Sequence, residues 1–461
     1  MQDHRAADHN TPGRRDPRAA DTIFAVSSGA PPAAIAVIRI SGPRTGEALT
    51  RLIGRIPKPR TAALARIRET PGGEIIDEAL ALWFPAPNSE TGEDVAELQV
   101  HGGRAVVAAT LAALGKLDGL RMAEGGEFTR RGFENGKLDL TAVEGLGDLI
   151  AAETEAQRRQ AFRQMKGLLG DRAEVWRTRL TEALALVDAR IDFSDESDVP
   201  EELVAPALAI VRDLQKEIDA ALADEGRGER LRDGLVVAIA GPPNAGKSTL
   251  LNHLARRDVA IVSPQAGTTR DIIEVHLDLG GYPVTLLDTA GIHASDDPIE
   301  QEGIRRATSR AADADLVLWL ADNAEDLRNE NIIIPYIENI WKIRTKNDLL
   351  VNRNESTHHN NEKIFNISAI DGTGIRSLIE SMSEFFEQAW GGREPALVTR
   401  ERHRLTLQSV SAALQRAQTA EREELIAEEL RSAAQALGRL TGRIDVEDIL
   451  DVIFRDFCIG K

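Results

Sequence analysis

Gly241-Pro-Pro-Asn-Ala-Gly-Lys-Ser248 is the stretch that decides how this chain is read. It fits G-x-x-x-x-G-K-[ST]. It follows residues 235–240 (LVVAIA), which have the pattern of a buried strand, and precedes an apolar helix predicted to start near Thr249. Strand, glycine-rich loop and helix form the context that this motif requires. The glycines let the backbone curl so that successive N–H groups point at phosphate oxygens. The helix N-terminus adds favourable dipole charge. Lys247 is expected to reach the β- and γ-phosphates, and the Ser248 hydroxyl to ligate Mg²⁺. Asn244, Ala245, Gly246 and Thr249 complete the expected phosphate cradle.

Three further motifs follow in order. Gly267-Thr-Thr-Arg-Asp271 reads as a switch loop in which a threonine, Thr268 or Thr269, meets the nucleotide, with Thr269 as the expected second Mg²⁺ ligand. Asp288-Thr-Ala-Gly291 follows a strand. Its carboxylate can hold Mg²⁺ through water, and the Gly291 N–H can sense the γ-phosphate, with Thr289 and Ala290 in the same loop. Thr345-Lys-Asn-Asp348 fits [NT]-K-x-D. An aspartate there accepts from guanine N1–H and N2–H₂ and suits adenine poorly, so Thr345, Lys346 and Asp348 select GTP. Ser368-Ala369 suits a loop packed on the guanine.

The chain has 461 residues, which predicts two to four domains. Hydrophobic residues make up 42% and charged residues 28%, a globular balance that excludes whole-chain disorder. The formal charge of −18 excludes a general basic surface for wrapping nucleic acid, so any RNA contact must be local or shared with a more basic partner. The single cysteine, Cys458, forms no intramolecular disulfide and no Cys-cluster metal site, which favours a reducing compartment. No apolar run is long enough for a membrane span. Residues 1–20 lack the apolar segment of a secretory signal and read as a disordered tail, so a cytoplasmic location is expected.

Residues 21–138 read as a small α+β domain, with strands over 34–40 and 79–84 and a helix over 106–117. Helical spacing dominates residues 139–233, interrupted at Gly167, at Gly170 and at the turn-like 192–200. It returns over 393–461. Between these blocks, residues 234–392 alternate strands and helices: a hairpin at Gly280–Gly281, a buried strand over 316–321 and a closing helix over 375–390. This predicts an α/β domain with a mostly parallel sheet, inserted into a discontinuous helical domain. Residues 325–368 differ from the rest, with no alanine and nine asparagines.

Hydrolysis poses a problem. Ile292 stands where many GTPases place a water-positioning glutamine, and Arg270 is the only nearby candidate for an arginine finger. Asn244 is either a monovalent-cation ligand or a loop hydrogen-bonding residue. Glu300 is either a remote water-orienting carboxylate or a solvated helix residue.

The residues beyond the phosphate loop point to a family. Asp21-Thr-Ile, Arg39-Ile-Ser-Gly42, Thr91-Gly-Glu-Asp94, Glu97-Leu-Gln-Val-His-Gly-Gly103, Gly126-Glu-Phe-Thr-Arg-Arg131, Asn135-Gly-Lys-Leu-Asp-Leu140 and the terminal Phe457-Cys-Ile-Gly-Lys461 resemble the MnmE (TrmE) family of tRNA modification GTPases. These belong to the TrmE-Era-EngA-YihA-Septin-like superfamily. The terminal motif has no common structural reason in the sequence. The resemblance implies an N-terminal folate-binding and dimerisation domain, a discontinuous all-α domain and an inserted Ras-like G domain. It implies a homodimer acting with a flavoprotein partner, MnmG (GidA), which supplies FAD and NADH chemistry. Together they would place an aminomethyl or carboxymethylaminomethyl group on C5 of the wobble uridine of certain tRNAs. The one-carbon unit comes from 5-formyl- or 5,10-methylene-tetrahydrofolate.

The resemblance also implies G domains that dimerise across their nucleotide faces, with K⁺ where an arginine would sit. Asn244, Ser263, Gln265 and Thr268 match its K⁺ positions, Glu300 its water-orienting glutamate, and Arg39, Glu97, Lys137 and Lys461 its folate contacts. Cys458 matches a thiol near the one-carbon site, its role left open. The alternative is an Era-like ribosome-assembly or signalling switch, which shares the phosphate loop but leaves Arg39, Glu97, Lys137 and the terminal motif unexplained.

Overall fold

The computed structural model describes residues 21–192, 203–224, 226–242, 244–256, 259–261, 274–288, 314–323, 327, 339–349, 356–359, 362–389, 396–444, 450, 453–454, 457 and 459–460. They divide into two compact units, one of residues up to 144 and from 441 onward, the other of residues 145–440.

In the first unit β1 (Thr22–Val26), β2 (Ile35–Ser41), β3 (Ala63–Arg68), β4 (Ile75–Phe84), β5 (Val95–His101) and β6 (Leu120–Met122) form one sheet in the order β3-β4-β5-β2-β1-β6. Neighbouring strands are antiparallel except β1 and β6. Alternation explains the burial: Ala36, Ile38 and Ile40 of β2 join Leu98 and Val100 of β5 in a core with Leu49 of α1 (Thr45–Ile53) and Leu114 of α2 (Arg104–Gly115). Ile23 and Ala25 of β1 pack on Phe128 of α3 (Glu127–Glu134) instead.

Phe457, Ile459 and Gly460 of the terminal motif find a structural reason here that the sequence does not offer. Ile459 bridges to Gly125, and Gly460 adopts φ +97°. A Cβ on Gly460 would lie 2.1 Å from the Val26 carbonyl oxygen, so only glycine allows that approach. Phe457 packs with Phe454 and Leu140.

Helix α4 (Leu140–Ala151) runs into the second unit, where α5 (Glu155–Met165), α6 (Leu168–Asp192), α7 (Val204–Leu222) and α8 (Arg227–Asp233) follow. Gly167, at φ +94°, ends one helix before the next begins. Gly170 does not interrupt. It lies buried in the first turn of α6, where packing outweighs a propensity cost of about 1 kcal/mol. The other break comes before Thr154, whose side chain and Gln157 form a capping box for α5.

The chain then builds the phosphate-loop region: β7 (Leu235–Ala240), α9 (Lys247–Ala255), β8 (Glu274–Leu279), β9 (Tyr282–Asp288), β10 (Leu316–Ala321), β11 (Ile340–Arg344), β12 (Ser356–His359), β13 (Glu362–Asn366) and α10 (Ile375–Ala389). The sheet order is β12-β13-β11-β10-β7-β9-β8, parallel from β13 through β9 and antiparallel at both edges. Val237 and Ile239 face one core while Ala238 and Ala240 face another. Burial on both faces is why β7 and β10 are continuous apolar runs.

Helices α11 (Glu401–Thr419) and α12 (Glu423–Thr441) return to pack with α6 and α7 around Trp176, Leu180, Val211, Leu414 and Leu430. Asp148 accepts hydrogen bonds from Arg232 (3.1 Å) and Arg400 (2.5 Å). One carboxylate thus holds the points where the chain leaves the helices and rejoins them. Among the described residues, no helix is long and apolar enough to cross a membrane.

Candidate functional site

The helix predicted near Thr249 begins at Lys247, so Lys247 and Ser248 form its first turn. Gly241, at φ +145°, lies where an added Cβ would meet the Leu320 carbonyl oxygen of β10 at 2.0 Å. Asn244 (φ +61°) and Gly246 (φ +92°) are left-handed as well. These angles curl the loop back on itself. The Lys247 ammonium donates to the carbonyls of Gly241 (2.8 Å) and Pro242 (2.9 Å), which holds the cation over the loop.

The 345–348 loop extends from β11. The Thr345 N–H donates to the Ala321 carbonyl (2.9 Å), and the Asn347 N–H to the Ile367 carbonyl (3.1 Å). Lys346, at φ +57°, donates to Asp322 (2.7 Å). That hydrogen bond holds the Asp322 carboxyl below its ordinary range. Ser368 is buried, and its N–H donates to the Thr373 carbonyl (3.0 Å). His253 of α9 donates from Nδ1 to the Ala369 carbonyl (3.0 Å), since a carbonyl only accepts. The helix bearing Lys247 and Ser248 is thereby tied to the loop that follows β13.

These pieces enclose one cavity of about 480 Å³, lined by Asn244, Gly246, Lys247, Ser248, Thr249, Thr345, Lys346, Asp348, Ala369 and Ile370. Ala245 is buried beneath it. The arrangement gives a cation and loop N–H groups at one end and a carboxylate at the other, the polarity of a guanosine polyphosphate. Ile370 is the residue that sequence reasoning missed. It stands 80% exposed on the rim, and its only signal was its place directly after Ser368-Ala369. Ser263, Gln265, Thr268, Thr269, Thr289, Ala290, Gly291, Glu300, Cys458 and Lys461 lie outside the described residues, as does the side chain of Asp288.

Three of the expected folate residues, Arg39, Glu97 and Lys137, are described in the first unit. Arg39 and Glu97 are register partners on β2 and β5, with Arg39 Nη2 donating to Glu97 Oε1 at 2.9 Å. Arg39 Nη1 lies 2.7 Å from Glu90 Oε2, and its guanidinium sits over the Phe128 ring at 5.7 Å. Glu97 lines a cavity of about 420 Å³ with Arg60, Phe84, Asn88, Ser89, Glu90 and Val95. The cation on that wall is Arg60; Arg39 is engaged with the two carboxylates. Lys137 follows α3 and bonds through its N–H to the Gly132 carbonyl (2.8 Å).

Comparison with known proteins agrees with this architecture. The family described as "MnmE helical domain" matches residues 140–458, and "GTP-binding protein TrmE N-terminus" matches residues 22–137. The tRNA modification GTPase MnmE of Bradyrhizobium sp. (strain ORS 278) is 59% identical over 445 residues, covering 95% of this chain and 99% of the relative. Its namesakes in Rhodopseudomonas palustris strains BisB18 and ATCC BAA-98 / CGA009 are 58% and 56% identical over the same shares of chain and relative. Identity at this level over 95% of the chain, with family models matching residues 22–137 and 140–458, means that the chain belongs to the MnmE (TrmE) family of tRNA modification GTPases.

Proposed function

We propose that this chain hydrolyses GTP in the cavity between the phosphate loop and the 345–348 loop, and that hydrolysis serves tRNA modification. The carrying observation is a single cavity wall that holds Lys247 and Ser248 together with Asp348, in a chain of this family. Ser248 with Thr269 would hold Mg²⁺, and Ser248 lines the cavity as that role requires. Glu300 orients the attacking water, a task that Ile292 cannot perform.

Asn244 fits a K⁺ ligand by its amide chemistry and its left-handed place on the cavity wall, with Ser263, Gln265 and Thr268 as the other positions. K⁺ bound there supplies the positive charge that an arginine finger supplies elsewhere. Two copies of the chain face one another across this site. GTPase activity is expected to be at least about tenfold higher in K⁺ than in Na⁺, given the larger effects of arginine fingers. Asn244→Ala should lose that stimulation and Glu300→Ala should stop turnover, both with GTP binding retained. Equal rates in the two salts contradict the cation role.

In the first unit, the cavity beside Glu97 suits a folate: a carboxylate for pterin N–H groups and Arg60 for a glutamate tail. Lys137, Lys461 and the Arg39–Glu97 pair complete the reading, with Cys458 close in sequence. Calorimetry with 5-formyltetrahydrofolate is expected to show binding that Glu97→Gln weakens at least about tenfold, the loss of one charge-assisted bond. Unchanged binding contradicts the assignment. The chain acts as a cytoplasmic homodimer with the MnmG flavoprotein, whose FAD and NADH complete the transfer to C5 of the wobble uridine.

A further inference from the structure

Residues 44–68 carry seven basic side chains and one acidic one, Glu47, in a chain of formal charge −18. The fold gathers four of the seven around one cleft of about 610 Å³ in the first unit, which shares no lining residue with the Glu97 cavity. Helix α1 ends at Ile53, and Gly54 turns the chain at φ +78°. That places Arg51, in the last turn, and Arg55, just beyond, on the cleft wall. The opposite wall is β3, an edge strand, bearing Arg66 and Arg68. Two residues along a strand span roughly 6–7 Å.

The cleft holds one carboxylate, Glu78, paired with Arg66 at 2.7 Å. Arg55 donates to the Leu64 carbonyl at 3.2 Å, and Arg68 to the Gly73 carbonyl. A guanidinium has five N–H donors, so each such bond orients the side chain and leaves donors for another acceptor. Leu64, 67% exposed, and Pro71 add an apolar surface. The Arg66–Glu78 pair is itself exposed and contributes little to stability.

We infer that this cleft binds the sugar–phosphate backbone of RNA; the inference rests on the tRNA-modification reading above. An acidic chain that handles tRNA needs a local cationic surface. All four cations are arginines, whose planar forks match phosphate oxygens two at a time. The spacing along β3 suits successive phosphates, and Leu64 with Pro71 suits a ribose or an unstacked base.

The test is fluorescence anisotropy with the full-length protein and a labelled tRNA transcript, in KCl from 50 to 200 mM. The triple variant Arg51→Ala, Arg55→Ala, Arg68→Ala is expected to bind at least tenfold more weakly at low salt. Its log Kd against log salt slope should be shallower by about 2, at about 0.7–0.9 per lost phosphate contact. GTPase rate, 5-formyltetrahydrofolate binding and molar mass by light scattering should not change. Unaltered tRNA affinity and slope overturn the inference. So does a changed molar mass, which would make the cleft a contact between copies, and so does loss of the flavoprotein partner with tRNA binding intact. Absence of tRNA binding by the wild-type chain overturns the functional reading as well.

Discussion

Asp348→Asn is expected to weaken GTP binding at least about 100-fold and to confer binding of xanthosine triphosphate. The carboxylate accepts from two guanine donors, and each hydrogen bond to a charged group contributes about 1.5–3 kcal/mol. An amide has one acceptor and one donor, so it matches the N1–H and C2 carbonyl of xanthine and opposes the guanine amino group. Asp348 lines the same cavity as Lys247, and its loop is anchored through Thr345 to the Ala321 carbonyl, so the substitution changes recognition while leaving the loop in place. Parallel titrations with the two nucleotides check this. Unchanged GTP affinity would show that the base lies elsewhere.

Gly241→Ala should have the largest effect on the fold of the site. Its Cβ would lie 2.0 Å from the Leu320 carbonyl oxygen and 3.0 Å from the Leu320 carbonyl carbon, both backbone atoms of the central strand β10. At φ +145° an L side chain is strained even with open space. The phosphate loop must shift, so nucleotide binding should be lost and the unit destabilised by at least about 2–3 kcal/mol. Gly280→Ala is the control. Gly280 is also left-handed, at φ +67°, but no atom lies within 4 Å of the added methyl. It should cost about 1 kcal/mol and leave nucleotide binding intact. Thermal melting and GTP titration of both variants separate collision from strain.

The phosphate-loop domain was legible because its signals are local. Strands β7 and β10 are apolar runs buried on both faces, and the hairpin turns at Gly280–Gly281 as its glycines predict. Residues 325–368 were opaque, because their asparagines mask a weak strand pattern. Within the described residues β11 and β13 pair in parallel there, and Trp341 stacks on Phe365 at 5.2 Å. Strand β3 (ALARIR) carries no strand signal, since Ala, Leu and Arg favour helices; register with β4, including Arg66 opposite Glu78, overrides that propensity. Gly170 reads as a helix break, yet a glycine's cost in a helix is small beside tertiary burial. On the cavity walls, Asn244, Lys247, Ser248, Asp348 and Glu97 belong to sequence motifs, whereas Ile370 and Arg60 belong to none. The reason for glycine at 460 depends on a contact with Val26, more than 400 residues away in sequence, that no local pattern encodes.

Nucleoside analysis of tRNA by mass spectrometry, from cells whose sole copy is either this chain or its Lys247→Ala variant, joins the nucleotide site to the modification. The wild-type chain should yield C5-modified wobble uridine, and Lys247→Ala should leave that uridine unmodified at equal protein levels. Equal modification by the two chains, or none with either, would contradict a GTP-driven role in tRNA modification.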